Sequence, residues 1–316
     1  MVELIVSALM WALVIVLLVF RRASKERSVL YAAITIALTM MLNNDDLYFV
    51  VDAWFGGSDL VHLLSAISLM VGVHFLAKGI SRAGAQRWSA GWPARIALWT
   101  AIAVTSVAFF LVPHKLVTSE SFMREYGQYP AATVYSSTQY LYLLFVFTAL
   151  SATAIHTIRT RPLGRERLAG VLLLVGSACT IALSFVVIGM NIAQLLGGLE
   201  AVQPWRPAYY ALQVGTFAFL TFGLGVAPIA RWVAERKRER SIVLYLVRVT
   251  PLWSRAIAER PSPKLQREFS DPALRLHRRI VEVRDAAMDQ HNDFTLTKAD
   301  RALLAEAERQ LLAGTT

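Results

Sequence analysis

Apolar residues run almost unbroken through seven stretches of the chain before a charged pattern takes over near residue 231. The stretches cover residues 2–20, 29–48, 60–80, 93–112, 133–157, 168–188 and 207–229. A helix needs about 20 mainly apolar residues to cross the hydrocarbon core of a bilayer. The pattern therefore predicts an all-α fold, a polytopic helical membrane protein with seven transmembrane helices over residues 1–230. Beyond it, residues 231–316 predict a basic, helical cytoplasmic domain.

Basic residues orient the spans, because cytoplasmic loops carry an excess of Lys and Arg. The loops after the first, third and fifth segments hold Arg21, Arg22, Lys25, Arg27, Lys78, Arg82, Arg87, Arg95, Arg159, Arg161, Arg165 and Arg167 against only Glu26 and Glu166. The other side holds Lys115, Arg124 and Arg206, with Glu3, Asp45, Asp46, Asp52, Asp59, Glu120, Glu125 and Glu200. This asymmetry predicts an outside N-terminus and a cytoplasmic C-terminus in the cell (plasma) membrane. The first segment has no basic residue before it and no small-residue cleavage site after it, so it reads as a span and not as a signal peptide. Tyr126, Tyr129, Tyr135, Trp205, Tyr209 and Tyr210 fall near the expected outer interface, and Trp88, Trp92 and Trp232 near the inner one.

Composition sharpens this picture. The chain is 56% hydrophobic and 17% charged, against about 25% charged in soluble domains. Its mean hydropathy is +0.48. A single cysteine, Cys179, excludes a disulfide framework within one chain and a Cys-based zinc site.

Candidate chemistry gathers at the expected outer side. Asn43, Asn44, Asp45 and Asp46 follow one apolar run, and Asp52, Asp59 and His62 come soon after. Ionisable groups in or beside a span are costly, which marks Asn43, Asn44, Asp45, Asp46, Asp59 and His62 as an outer acidic site for a cation, a proton or a basic ligand. The competing reading ends the second span at Leu42 and leaves the carboxylates in water or capping a short interfacial helix. Asn191, Gln194 and Gln213 can line a cavity between the sixth and seventh spans, or simply join helices. His74 suits a hydrogen bond to a neighbouring helix. No lysine stands in the last span for a retinal Schiff base, and no P-loop, H-E-x-x-H or G-x-S-x-G motif occurs. No enzymatic activity, metal or other cofactor is expected.

In the tail, residues 231–284 carry fourteen Lys/Arg and six Asp/Glu, a net of +8. Arg231, Arg236, Lys237, Arg238 and Arg240 form a juxtamembrane cluster suited to anionic lipid. Nucleic acid is not an expected partner, since no recognition motif accompanies the charge. Residues 241–253 either continue the last span until Pro251 ends it or lie along the membrane, and Pro261 and Pro263 mark a linker. Asp271 and Pro272 predict a helix start, followed by Leu276, Ile280, Val283 and Ala287 at helical spacing. Thr297 with Asp300 opens a further helix carrying Leu303, Leu304, Ala307 and Leu311.

Residues 244–257 (LYLVRVTPLWSRAI) and 274–285 (LRLHRRIVEVRD) resemble the tail motifs of seven-span actinobacterial membrane proteins that carry an uncharacterised C-terminal domain. Residues 52–64 (DAWFGGSDLVHLL) match the outside stretch of that family after its second span. Family members are classed as transporters on hydrophobicity, so the resemblance implies the topology more than an activity. It also marks Arg278, Arg279, Glu282, Arg284 and Asp285 as residues that would contact a cytoplasmic regulatory protein. The expected function is a membrane sensor or regulatory protein, with an outer acidic cavity as input and the tail as output. A small-solute or ion transporter is the alternative, and a membrane scaffold without ligand the second.

Overall fold

A computed structural model describes residues 2–19, 28–83, 91–113, 118–119, 122–160, 164–258, 270–289 and 294–312. Within these residues the chain is helical, without strands. The helices are α1 (Val2–Val19), α2 (Ser28–Leu42), α3 (Asp45–Trp54), α4 (Leu60–Ala83), α5 (Trp92–Leu111), α6 (Phe122–Tyr126), α7 (Pro130–Thr160), α8 (Arg165–Gly197), α9 (Arg206–Ala258), α10 (Pro272–Met288) and α11 (Lys298–Leu312). A 3-10 turn, Leu199–Trp205, joins α8 to α9. Five apolar helical stretches are long enough to cross a membrane: Leu60–Arg82, Trp92–Leu111, Pro130–Thr160, Arg167–Gly197 and Leu199–Ala258. Leu4–Val19 and Ser28–Leu42 are apolar but shorter. This architecture suits a membrane-embedded protein.

Three boundaries differ from those the hydropathy pattern predicts. The apolar segment over residues 29–48 is two helices, α2 ending at Leu42, as the competing reading has it, and α3 starting at Asp45. Asn43 and Asn44 divide them, since Asn side chains compete for backbone hydrogen bonds and favour helix ends over helix interiors. The stretch predicted to stop at residue 188 continues to Gly197. The last helix passes through Pro251 and ends at Ala258. A proline inside a helix costs roughly 3 kcal/mol, and burial of Val249, Leu252 and Ala256 on the same turns offsets it. Arg21, Arg22, Lys25, Arg27, Arg87, Trp88, Lys115, Glu120, Arg161, Pro261 and Pro263 lie outside the described residues.

The chain divides into two compact units, Met1–Ile229 and Ala230–Thr316. In the first, Val6, Met10 and Leu13 of α1, Ala33 and Ile36 of α2, Met70, Val73 and Leu76 of α4, and Tyr142 and Val146 of α7 share one core. The two shorter apolar helices therefore pack in the same bundle as the long ones. α8 and α9 meet closely where a Cβ on Gly223 would stand 3.1 Å from the Leu173 nitrogen, whereas Gly225 faces open space. A second core of Leu63, Ala108, Phe109, Val112, Phe122, Tyr126 and Tyr135 closes one end of the bundle. Tyr126 and Tyr135, expected near the outer interface, are buried there. Their rings pack with Phe109 and Phe122.

The second unit is a three-helix assembly. Ile242, Leu246, Val249, Leu252 and Ala256 of α9 pack with Leu276, Ile280, Val283 and Ala286 of α10, and with Leu304 and Ala307 of α11. Asp271 caps α10 by accepting a hydrogen bond from the Ala273 nitrogen at 2.9 Å, with Pro272 at the first helical position. Thr297 and Asp300 bond reciprocally at the start of α11: the Thr297 hydroxyl donates to Asp300 Oδ2 at 2.7 Å, and the Asp300 nitrogen donates to Thr297 Oγ1 at 3.2 Å.

Candidate functional site

The helix α3 is amphipathic the wrong way round for a soluble protein. Phe49, Val50, Ala53 and Trp54 are exposed, with Trp54 at 80%, while Tyr48 and Asp52 are buried. Residues 48 and 52 are one turn apart, so both side chains leave the same face. Polar groups point into the protein and apolar ones away from it, an arrangement stable where the outside is lipid or the membrane interface. The turn after α3 uses Gly56 at φ 81° and Gly57 at φ 68°, a left-handed backbone that glycine adopts at no steric cost. It returns the chain to Asp59, at φ 55°, immediately before α4.

Two carboxylates meet in this turn. Asp52 is 0% exposed and Asp59 1%. Asp52 Oδ2 accepts from the Asp59 nitrogen at 3.1 Å and from the Thr118 hydroxyl at 2.9 Å, and its Oδ1 accepts from the Val61 nitrogen at 3.4 Å. Asp59 is bonded less evenly. Its Oδ1 accepts from the Tyr48 hydroxyl at 2.5 Å and from both the nitrogen and the hydroxyl of Ser119 at 3.0 Å. Its Oδ2 is buried and has no hydrogen-bond partner among the described residues. Asp59 thus fastens three separate parts of the chain: α3, the turn before α4, and residues 118–119.

The remaining predicted site residues border this knot to different degrees. His62 donates its backbone nitrogen to the Asp59 carbonyl at 3.0 Å. Its ring stacks on Phe122 at 5.0 Å and lies 5.6 Å from Tyr135, whose hydroxyl donates to the His62 carbonyl at 3.1 Å. Asn43 Oδ1 accepts from the Ser65 hydroxyl at 2.8 Å, which ties the end of α2 to α4. Asn44 precedes α3 without a side-chain cap bond. Asp45 and Asp46 occupy the first turn of α3, where negative charge suits the helix dipole, and their side chains lie outside the described part of the molecule. Asp52, absent from the predicted site, belongs to it. Among the described residues, no group of three or more His, Cys, Asp or Glu side chains is placed to hold a metal ion.

The second predicted cluster divides. Asn191 Nδ2 donates to Ser136 Oγ at 3.0 Å and to Ser137 Oγ at 3.1 Å, and Gln194 Nε2 donates to the Met123 carbonyl at 2.6 Å. Both amides therefore join α8 to α7 and α6, whereas Gln213 on α9 makes none of these bonds. His74 Nδ1 stands 3.5 Å from the Tyr142 hydroxyl.

In the tail, four of the five residues singled out for a partner make bonds within the tail itself. The Trp253 indole donates to Glu282 at 2.5 Å, and Arg278 Nε donates to the same carboxylate at 2.6 Å. Arg279 donates to Thr250 Oγ1 at 2.5 Å and lies over the Trp253 ring at 4.6 Å. Arg284 pairs with Glu308 of α11 at 2.6 Å, and Asp285 is exposed. Of the basic cluster, Arg236, Lys237 and Arg240 are exposed. Arg238 instead donates to the Leu311 carbonyl at 3.1 Å, and the Arg231 side chain lies outside the described part.

No family model, curated protein or solved structure matches this chain.

Proposed function

We propose that this chain is an integral membrane sensor or regulatory protein of the plasma membrane, whose input is the Asp52–Asp59 knot and whose output is the tail assembly of α9, α10 and α11. In this reading α1 and α2 also cross the bilayer, giving seven spans with the N-terminus outside and the tail in the cytoplasm. Packing of α1 and α2 against α4 and α7 supports that count, and the distribution of Lys and Arg supports the orientation.

The observation that carries the reading is Asp59, a buried carboxylate that fastens α3, a glycine turn and residues 118–119 while one of its oxygens finds no partner among the described residues. A buried polar atom without a protein partner costs stability unless water or a ligand reaches it. The tail supports the output role through its ordered, cross-braced surface: the Arg278–Glu282–Trp253 and Arg284–Glu308 bonds hold α10 in place to present Asp285, His277 and the exposed basic residues to a cytoplasmic partner or to anionic lipid.

The test is hydrogen exchange of the full chain in lipid nanodiscs, comparing the native protein with Asp59→Asn. The expected result is altered exchange in α10 or α11. Unchanged tail exchange in Asp59→Asn and in Tyr48→Phe, with both variants folded, overturns the reading. The transporter alternative predicts solute flux into liposomes, and the bonded state of Asn191 and Gln194 gives it less support than the knot gives a sensor.

A further inference from the structure

Three helices of the membrane unit enclose a groove at the opposite end of α4 from the knot. His74 and Ala77 of α4, Pro93 and Ala94 of α5, and Phe145 and Ala149 of α7 line one part of it. Phe145 and Ala149 continue with Thr148 and Ala152 into an open furrow of about 360 Å³. Seven positions separate Phe145 from Ala152, so the furrow follows α7 for about 10 Å. Its walls are apolar apart from His74 and Thr148, and the Thr148 hydroxyl is spent on the Leu144 carbonyl of its own helix at 2.7 Å.

Charge at the head of this groove is one-sided. Lys78 stands one turn beyond His74 on the same face of α4, and Arg95 follows Ala94 in the first turn of α5. His74 interacts electrostatically with both. Neither Lys78 nor Arg95 pairs with a carboxylate among the described residues. The helices α4, α5 and α7 contain no Asp or Glu at all. Gly91 precedes α5 without a side-chain cap bond, so the positive end of the helix dipole adds to the same corner. Cations at the edge of the hydrocarbon are costly without a counter-charge. The apolar furrow beside them says what form that counter-charge takes: an anion carried on a hydrocarbon chain.

We propose that this corner binds an anionic phospholipid, with its headgroup phosphate on Lys78 and Arg95 and one acyl chain in the furrow between Phe145 and Ala152. Basic pockets between transmembrane helices recognise lipid headgroups in this way. A soluble phosphate would meet the charges but leave the furrow unused. A zwitterionic lipid would fill the furrow but bring its own positive group to the cations. Trp92 opens α5 and is 73% exposed, which suits the headgroup layer and sets Arg95 within reach of it. The site is distinct from Arg236, Lys237 and Arg240, which belong to the tail unit. It does not depend on the sensor reading; only its leaflet, the cytoplasmic one, follows from the proposed orientation.

Native mass spectrometry of the full chain, released from nanodiscs of phosphatidylglycerol and phosphatidylcholine in equal parts, tests the site. Phosphatidylglycerol should stay bound in preference to phosphatidylcholine. Lys78→Gln and Arg95→Gln should each cut that retention about fivefold, the effect of one basic contact, while Lys78→Arg should keep it. Ala152→Phe, which fills the furrow at an exposed position, should lower retention with both charges in place. Arg95 is exposed, so Arg95→Gln decides should Lys78→Gln fail to fold. Equal retention of the two lipids overturns the proposal. So does retention that survives both Gln variants, or that falls only when Arg236, Lys237 and Arg240 are neutralised. Displacement of the lipid by inorganic phosphate, with Ala152→Phe silent, would mark a site for a soluble anion and overturn it too.

Discussion

Single residues in the tail show how local chemistry sets the helix ends. Asp300 accepts from both the hydroxyl and the backbone nitrogen of Thr297, and the hydroxyl bond chiefly holds its carboxyl below the usual Asp range. The folded state therefore favours the anion. Its contribution is complete above the unfolded value of about 3.9 and is lost as pH falls through the lower, folded value. Hydrogen exchange in the first turn of α11 should accelerate over that acid window, and Asp300→Asn should remove the pH dependence. Glu282 is the next residue to test, because one carboxylate serves both the Trp253 indole and Arg278. Glu282→Ala should destabilise the tail by roughly 1–3 kcal/mol, read as faster exchange throughout α10, while Arg278→Ala should cost less because its partner keeps the indole. These caps were legible in the sequence because their partners lie two or three positions apart. Asp52 and Asp59 were not legible as a pair bonded to Thr118 and Ser119, since 66 and 60 residues separate the partners. The available signal was local: Tyr48 and Asp52 stand one turn apart in a stretch, residues 47–54, whose other side chains are apolar.

At the scale of elements, hydrophobic runs found every long helix, and what they missed was where polar residues divide a run or packing overrides a breaker. Asn43 and Asn44 split one predicted span, while Pro251 failed to end another. In α9 the exposed Pro251 removes a donor from a helix whose opposite face is held by Val249 and Leu252. Pro251→Ala should therefore slow exchange in α9 and raise the thermal midpoint of the tail. Between α2 and α4, a Cβ on Gly72 would stand 2.6 Å from Thr35 Oγ1 and 2.9 Å from Ile36 Cγ1. Overpacking of this kind costs about 1–3 kcal/mol. Gly72→Val should lower the thermal midpoint in detergent by parting these helices, whereas Gly225→Ala, facing open space, should leave it unchanged.

For the molecule as a whole, the division into a membrane unit and a charged tail follows from the change of pattern near residue 230, and the number of crossings turns on two helices. Five apolar stretches are long enough to span, and α1 and α2 have 18 and 15 residues. Reporter tags on the two ends should sit on opposite faces of the membrane if both short helices cross along with the five long stretches. Tags on one face would remove the inside–outside relay.

The shortness of α2 has a mechanical consequence. Its 15 residues rise only about 22 Å, against a hydrocarbon layer of about 30 Å. If α2 crosses, the leaflet beside it must dimple inward or the greasy flank of α3 must make up the missing depth. Acyl-chain length would then load the Asn43–Asn44 joint directly, and lipids with longer tails would tug on the same hinge from which Tyr48 reaches Asp59.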